Sequence, residues 1–437
     1  MGRFEVEAQA MPGVGALEPL AFKQRPDSAL PVRFFALGLL GFLLLNAGIA
    51  LAPHAIRYPL GPNGILLLHL TILGWITPVM MGADYQLIPV VLHRPIPRQR
   101  LADVVLWLYA AGAFVFLTGW GFRLASWIAA GGTAAGCALV LFCAHAGSSL
   151  LGRDRGGPTA VGLGAGMVFL ALTAVLGPWM ALSIGAAVPA PSLGILRALH
   201  AVAGLGGWLL LTIMGATYQL VPFFAATEPT VHARFGTVAV LCTGGGTVLL
   251  LVSGLVPALP AGVGLAAMGI GLALWMYDLG RLARHGRQAR REPVVTYSLA
   301  AAAVITLGAV VAAPAWGAHR LRLAMAGTVL GLLVGPSLLI LGQLQKILPF
   351  IAALDAALAA KRRRRAPKTE VLFPRQRAFA VLWVLTPGFG AEVAGVAVAM
   401  PPLIRAGAVL VLLGGLAYAV QQERSFAAWA KARSEAR

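Results

Sequence analysis

The sequence predicts an all-α integral membrane protein of twelve transmembrane helices, grouped into three pseudo-symmetric four-helix units. The first observation is composition: of 437 residues, 59% are hydrophobic and 11% are charged, and the mean hydropathy is +0.82. So little charge cannot cover a soluble globule. The second observation is a series of apolar runs long enough to cross a hydrocarbon layer of about 30 Å. The third is an internal repeat, which indicates how the runs are grouped.

The apolar runs are separated by short polar segments, so each is expected to form one membrane helix. Residues 1–29 precede them and are predicted to be a cytoplasmic arm, because the arm contains several acidic residues and no signal-peptide pattern. Residues 422–437 are predicted to be a cytoplasmic tail, and 30–421 the membrane domain. The approximate spans are 30–52, 64–92, 101–121, 126–150, 159–186, 195–224, 235–256, 259–281, 294–314, 320–353, 375–397 and 401–421.

The repeat is clearest in the second and sixth runs. Residues 68–89, LHLTILGWITPVMMGADYQLIP, recur as 199–222, LHAVAGLGGWLLLTIMGATYQLVP, and a weaker third copy, 320–350, ends in GQLQKILPF. The aligned prolines, Pro89, Pro222 and Pro349, are 133 and 127 residues apart. This spacing predicts units of about 30–150, 159–281 and 294–421, each with the repeated segment on its second helix.

The distribution of basic residues predicts the orientation. The net charge is +19, yet only six of the 34 Lys and Arg residues fall in the loops assigned to the outside. This is the pattern of the positive-inside rule, and it places both termini in the cytoplasm of a bacterial-type inner membrane. The charge therefore indicates topology rather than nucleic-acid binding. The six outer residues are Arg57, Arg123, Arg197, Arg320, Arg322 and Arg405.

Two histidines inside membrane helices are the main candidates for chemistry. His69 and His200 each lie about six residues after the outer start of their run, where an ionisable side chain is costly unless it has a partner or a function. Neutral imidazole binds Fe, Cu and Zn. Two His without Cys or carboxylate at the same level fit a haem iron better than a four-ligand Zn site. The alternative is that each His bonds a neighbouring carbonyl and links helices.

The remaining histidines are weaker candidates. His319 and His54 lie towards the same outer side and are secondary candidates for metal binding. The other four fall at cytoplasmic helix ends and are interpreted as surface or interface residues: His93, His145, His232 and His285.

The repeated segment resembles the helices of the haem-copper oxidase superfamily subunit I, especially those of C-type oxidases and nitric oxide reductases. The residues that carry the resemblance are His69, Gly74, Trp75, Gly82, Tyr85 and Pro89. Members of that family have twelve spans in a pseudo-threefold ring, with metal ligands on helices 2, 6 and 10. Their helix 10 carries His-x-His-x-x-x-x-Gly-Trp, in which the first His binds the high-spin haem and the second the low-spin haem.

Against this pattern, His200 has the spacing to Trp208 of the first family His, and His69 has the spacing to Trp75 of the second. Residues two apart on a helix point about 200° apart, so the two side chains are expected to face one shared pore. The resemblance implies one haem b between the second and sixth helices. His200 would be its proximal ligand and His69 its sixth ligand or a distal group.

Departures from the family pattern remove the copper site. Gly327 and Val329 stand on the tenth run where the two family His would align, and the seventh run has no adjacent His pair. Copper is therefore not expected at a family-type site, nor is a proton-pumping oxidase. The resemblance implies electron transfer or binding of a small gas such as nitric oxide. Whether the chain is an enzyme, as a degenerate oxidoreductase, is left open.

Further residues fit a haem site less specifically. Arg57, Arg320 and Arg322 lie at the outer face, where they would pair with haem propionates or serve as ordinary loop charges. Trp75 and Trp208 follow the two His by about two turns and are packing residues or contacts of the haem edge.

Polar side chains at the inner ends of the repeated helices allow two interpretations. In the first interpretation the side chains begin a proton path or form part of a quinone niche. In the second they anchor the helices at the level of the lipid headgroups. The expected partners are the lipid bilayer, a redox partner or quinone, and further copies or subunits of a membrane complex. A second function is a cofactor-free transporter or scaffold on a three-repeat fold. The polar residues are Asp84, Tyr85, Gln86, Tyr218, Gln219, Gln343, Gln345 and Lys346.

Overall fold

The structure is a computed structural model that describes most of the chain after the N-terminal arm. Within the described residues the regular structure is helical, and twelve helices are long and apolar enough to cross a membrane. We number them α1 to α12 in chain order. Most of the predicted arm, 1–29, lies outside the described residues. The described ranges are 27–92, 96–151, 157–185, 188–190, 192–225, 234–256, 258–284, 291–359, 372 and 374–436.

Nine of the helices in the described residues are continuous α-helices, and three contain a π-helical segment. The continuous helices are α1 Ala29–Leu51, α3 Gln99–Phe122, α4 Ala125–Gly147, α5 Pro158–Ile184, α7 Gly236–Leu255, α8 Ala261–Arg284, α9 Pro293–Gly317, α11 Arg375–Ala397 and α12 Pro401–Ala436. The interrupted helices are α2, with parts Pro62–His69, Leu70–Ile76 and Thr77–Leu92; α6, with parts Leu193–Ala201, Val202–Leu209 and Leu210–Phe224; and α10, with parts Leu321–Thr328, Val329–Val334 and Gly335–Ala359.

The helix bounds follow the apolar runs closely except at the last helix. The sequence predicts a span that ends at 421 and a tail beyond it, whereas α12 continues to Ala436. The physical reason is that 422–436 lacks Gly and Pro and is rich in Ala, Arg, Glu and Lys, which are strong helix formers. A loss of hydropathy at 421 therefore ends the apolar run without ending the helix.

The π-helical segments recur in register with the sequence repeat. They cover Leu70–Ile76, Val202–Leu209 and Val329–Val334. Adding 133 to the α2 segment gives 203–209, and subtracting 127 from the α10 segment gives 202–207, so both overlap the α6 segment. π-helical turns are rare and are frequent at functional sites.

In each of the three copies of the repeated segment, one glycine lies where its helix packs closely against the preceding helix. A methyl group added at Gly82 would lie 2.7 Å from Cβ of Phe34 on α1, and one at Gly342 would overlap Cβ of Tyr297 on α9. At Gly215, between them in the chain, the added carbon would lie 3.1 Å from backbone atoms of α5. Glycine at these positions lets the helices pack backbone to side chain or backbone to backbone.

Packing divides the chain into two compact units. The first comprises Met1–Gly38 and Pro59–His285, and the second Leu39–Tyr58 and Gly286–Arg437. The first unit therefore holds α2 to α8 and the second α9 to α12, while α1 contributes to each. Within the units, α3 packs on α4, α7 on α8 and α11 on α12 as antiparallel pairs joined by short connections.

Candidate functional site

The imidazole rings of His69 and His200 meet inside the first unit. Their ring centroids are 6.4 Å apart and their planes differ by 27°. His69 ends the first part of α2, and His200 lies in the last turn of the first part of α6. In both helices the π-helical segment follows closely, so the two rings come from neighbouring positions of two repeated helices, two residues apart in the 133-residue register.

Backbone carbonyls determine which ring nitrogen of each histidine carries hydrogen. Nδ1 of His69 lies 2.9 Å from the carbonyl oxygen of Ile65 in its own helix, and Nδ1 of His200 lies 3.2 Å from that of Thr173 on α5. A carbonyl oxygen only accepts, so each Nδ1 donates its hydrogen. In a neutral ring Nε2 then keeps a lone pair. Metal-binding histidines are held in this tautomer by the same kind of bond.

The distance between the ring centroids is compatible with two imidazoles that would bind one metal ion. An imidazole nitrogen binds a first-row metal at about 2 Å, and the nitrogen lies roughly 1 Å from its own ring centre, so the two centroids would be roughly 6 Å apart. The observed value is 6.4 Å. The donor set of two neutral nitrogens suits haem iron. The ring spacing and the donor type are compatible with the cofactor that the sequence predicts, while the nearly parallel planes are those of a stacked ring pair.

The surroundings of the two rings are apolar or small. The Phe116 ring of α3 contacts His69 edge-on, with centroids 5.1 Å apart. Gly177 of α5 lies against His200, and a methyl group added there would be 3.1 Å from Cε1 of the imidazole. An ordinary side chain at Gly177 would push the ring out of its present position.

The two predicted tryptophans are buried in the π-helical segments. Trp75 is 0% and Trp208 is 2% exposed. The Trp208 ring packs edge-on against Phe142 of α4 at a centroid distance of 6.3 Å. Its indole nitrogen is buried and has no hydrogen-bonding partner among the described residues. This contact gives Trp208 a packing role, which is one of the two predicted interpretations.

The predicted propionate and secondary metal residues belong to the second unit. Arg57 ends a short 3-10 turn, Ala55–Arg57, with its guanidinium 5.7 Å from the centre of the Tyr58 ring. His319 adopts a left-handed conformation, φ 55°, between α9 and α10. Its side chain is exposed, as are those of the other three residues, His54, Arg320 and Arg322. The haem roles of these residues stay sequence predictions.

The structure corrects the interpretation of His145 as a surface or interface residue. His145 is 4% exposed, and its Nδ1 lies 3.2 Å from the hydroxyl of Tyr85. Tyr218 makes a similar bond, 3.3 Å long, to Asp278. Both pairs fit the repeat, because 218 − 85 and 278 − 145 each equal 133. Extending the repeat to the fourth helices would have aligned His145 with Asp278 and signalled a shared role. His93, His232 and His285 lie outside the described residues.

Polar residues of the second unit pair within it. Lys346 of α10 forms a salt bridge of 2.9 Å with Glu292, and Arg375 lies 3.8 Å from the same carboxylate. The amide of Gln343 donates to Ser298 on α9 at 3.1 Å. Glu292 and Ser298 were not singled out in the sequence, since a single acidic or hydroxyl residue at a helix start has no distinctive pattern.

Within the described part of the chain, no group of three or more His, Cys, Asp and Glu side chains is close enough to hold a metal ion. The His69–His200 pair is a two-residue site of a different kind. No protein-family model matches the sequence, and neither does any curated protein. The family resemblance therefore depends on the residue patterns of the repeated helices.

Proposed function

We propose that this chain is a haem b-binding membrane protein that transfers electrons, related to subunit I of haem-copper oxidases but without a family-type copper site. The observation that carries the proposal is the pair of imidazoles, 6.4 Å apart, with both Nδ1 atoms bonded to backbone carbonyls. If both imidazoles hold the iron, the haem would supply electron transfer rather than binding of a ligand. If His69 is a distal group and not an iron ligand, the proposed function is binding of a small gas such as nitric oxide.

In this proposal His200 and His69 would hold the haem iron. The carbonyls of Thr173 and Ile65 hold the rings in the ligating tautomer and increase the basicity of Nε2. Gly177 leaves room beside His200. When bound, the haem would supply a one-electron redox couple whose potential depends on its axial ligands and its burial.

The haem-copper oxidase-like arrangement of three four-helix units is part of the same proposal. Three observations support it: the π-helical segments in register, the repeated glycine contacts and the two tyrosine pairs shifted by 133 residues. The charge distribution supports an inner-membrane location with both termini cytoplasmic.

The test is the visible spectrum of the detergent-purified protein from haem-replete cells. We expect a Soret band in the wild type and its loss in both His69→Ala and His200→Ala. The matched control is His145→Gln, which removes a buried imidazole from the same unit outside the site and should keep the band. If only His200→Ala removes the band, His69 is distal, and added nitric oxide should shift the spectrum. A colourless wild-type protein would overturn the proposal.

A cofactor-free transporter or scaffold is the second candidate. The bond from His200 on α6 to Thr173 on α5 joins two helices, as a structural histidine would. The ring distance also lies within the range of ordinary ring pairs, about 4.5–7 Å. This function predicts a colourless protein in which His200→Ala lowers the thermal stability, because the link to α5 is lost.

A further inference from the structure

A carboxyl group in the first unit is buried without a partner. Asp84, on the last part of α2, is 1% exposed, and both of its carboxylate oxygens are buried with no hydrogen-bonding partner among the described residues. An ionised carboxylate in such a position is strongly disfavoured, and ionisable residues inside membrane helices mark proton or ion pathways. Asp84 therefore needs an explanation beyond packing.

Comparison of the repeats shows what Asp84 lacks. Its equivalent, 133 residues on, is Thr217, whose hydroxyl accepts a 2.9 Å hydrogen bond from the indole nitrogen of Trp275. The residue 133 before Trp275 is Phe142, which has no polar atom in its side chain. At this position the second repeat therefore has two neutral polar side chains that bond to each other. The first repeat has a carboxyl group and an apolar ring at the two equivalent positions.

Tyr85, the residue next to Asp84, begins a chain of hydrogen bonds that ends at the loop between α2 and α3. His145 Nε2 bonds the carbonyl oxygen of Pro97, so it carries hydrogen and donates. Nδ1 of a neutral His145 then accepts from the Tyr85 hydroxyl, 3.2 Å away. Pro97 and Arg98 are exposed in the loop between α2 and α3. The chain leads from the neighbour of Asp84 to residues in contact with water.

The ionisable groups around Asp84 are few. Asp84 interacts electrostatically with Tyr85 and, from α4, with Cys143, while His145 is also on α4. The described length of α5 has no ionisable side chain. On the other neighbouring helices, Arg33 of α1 pairs with Asp103 of α3, Tyr109 of α3 bonds the Leu73 carbonyl and Tyr218 of α6 bonds Asp278. Arg197 and His200 of α6 bond backbone carbonyls, and Arg100 of α3 is exposed.

We propose that Asp84 binds a proton and exchanges it with the aqueous phase at the α2–α3 loop through Tyr85 and His145. A metal ion is not expected here, because no group of three or more His, Cys, Asp and Glu side chains in the described part of the chain is close enough to hold one. A proton needs a single carboxylate oxygen. The proposal does not depend on haem, since none of these residues belongs to the candidate haem site.

The net result of the transfer is that one proton moves from water to Asp84, with no other chemical change in the residues of the chain. A proton from water adds to Nε2 of His145, and Nδ1 releases its own proton to the Tyr85 oxygen. The Tyr85 hydroxyl makes no hydrogen bond to Asp84 in the structure, so its original proton passes to the carboxylate through a bridging water molecule, and one proton has entered and one is bound. The bonds in the structure correspond to the state after this step, with hydrogen on Nε2 and the Tyr85 hydroxyl donating to Nδ1. Histidine is suited to such a shuttle because its two nitrogens exchange roles.

Infrared spectroscopy of the purified protein in lipid tests the proposal. A protonated carboxyl group gives a carbonyl band apart from the amide bands, and the band shifts when water is replaced by D2O. We expect a band that is lost in Asp84→Asn and that shifts within the mixing time in the wild type. In His145→Phe we expect the same band to shift at least tenfold more slowly.

Glu392 provides an internal control. It is 0% exposed, both of its oxygens lack partners among the described residues, and Glu392→Gln identifies its band. The exchange rate of that band should be the same in the wild type and in His145→Phe. The double variant Asp84→Thr with Phe142→Trp copies the pair of the second repeat and should fold without the Asp84 band. The proposal is overturned if Asp84→Asn removes no band, or if His145→Phe leaves the exchange of the Asp84 band unchanged.

Discussion

At the scale of single residues, one ion pair organises the polar end of the second unit. Glu292 precedes the first turn of α9, where a negative charge is favoured by the helix dipole, and it is 4% exposed. Its carboxylate lies 2.9 Å from Nζ of Lys346. Because the pair is mostly buried, removal of one partner leaves a charge that water cannot fully solvate.

We expect Lys346→Met to lower the free energy of unfolding by about 2 kcal/mol, less than for a fully buried pair because Arg375 stays 3.8 Å away. The measurement is thermal or denaturant unfolding in detergent. The control is Asp103→Asn, which breaks the Arg33–Asp103 pair, whose side chains are 50% and 49% exposed. That change should stay within about 0.5 kcal/mol. Equal losses in the two variants would contradict the prediction.

The residues of the candidate site were predictable to different degrees. His69 and His200 stand out because an imidazole inside an apolar run is rare, and the family pattern of their spacing to Trp75 and Trp208 predicted that they face each other; the structure places their rings 6.4 Å apart. Asp84 was noticed only as one member of a polar group at the helix ends. The second repeat has Trp275 bonded to Thr217, the equivalent of Asp84, whereas the first repeat has Phe142 at the Trp275 position, and no local pattern in the sequence shows that the two positions are related.

At the scale of elements, close helix packing depends on glycines that face a neighbouring backbone. An added methyl group at Gly162 of α5 would lie 2.8 Å from Cα of Gly215 and 2.8 Å from the carbonyl oxygen of Leu211, both on α6. Two residues further along α5, nothing lies within 4 Å of the equivalent point at Gly164. The two glycines share a helix and differ in what they face.

We therefore expect Gly162→Ala to destabilise the protein by roughly 1–3 kcal/mol, because backbone atoms of α6 must move. Gly164→Ala should be neutral or stabilise by up to about 1 kcal/mol, because alanine is the better helix former. Melting temperatures of the two variants, measured side by side in the same detergent, give the comparison. A loss of stability in Gly164→Ala as large as in Gly162→Ala would show that the contact at Gly162 is not the cause.

The elements show why sequence patterns predict membrane helices better than helix details. An apolar run long enough to span the bilayer permits little besides a helix, so the spans could be located. The π-helical segments have the same composition as their flanks, and the shift in hydrogen bonding depends on tertiary packing. The end of α12 was missed for a different reason, since hydropathy measures preference for lipid whereas the extension depends on helix propensity.

At the scale of the whole molecule, the twelve candidate spans in the described residues predict that successive loops lie on alternate sides of the membrane. His54 follows α1, and Arg98 lies between α2 and α3, so a single crossing separates them. Both side chains are exposed, which makes the two positions suitable reporters. The positive-inside rule predicts that His54 is outside and Arg98 is in the cytoplasm.

We expect a membrane-impermeant maleimide to label His54→Cys in intact cells and Arg98→Cys only after permeabilisation. The background is a variant in which the three native cysteines, Cys137, Cys143 and Cys242, are alanine. The same background without an added cysteine controls for non-specific labelling. Labelling of both positions from one side would contradict the predicted topology.

The length of α12 has a practical consequence for imaging. Its 36 residues measure about 54 Å, well beyond an apolar layer of about 30 Å. The extra turns are held against the protein, because Ala428 and Trp429 pack on Ala352, Ala353 and Leu372 of the same unit. A small folded protein fused in helical frame after Ala436 would therefore stand at a fixed angle outside the micelle. It would serve as an alignment marker for electron cryo-microscopy.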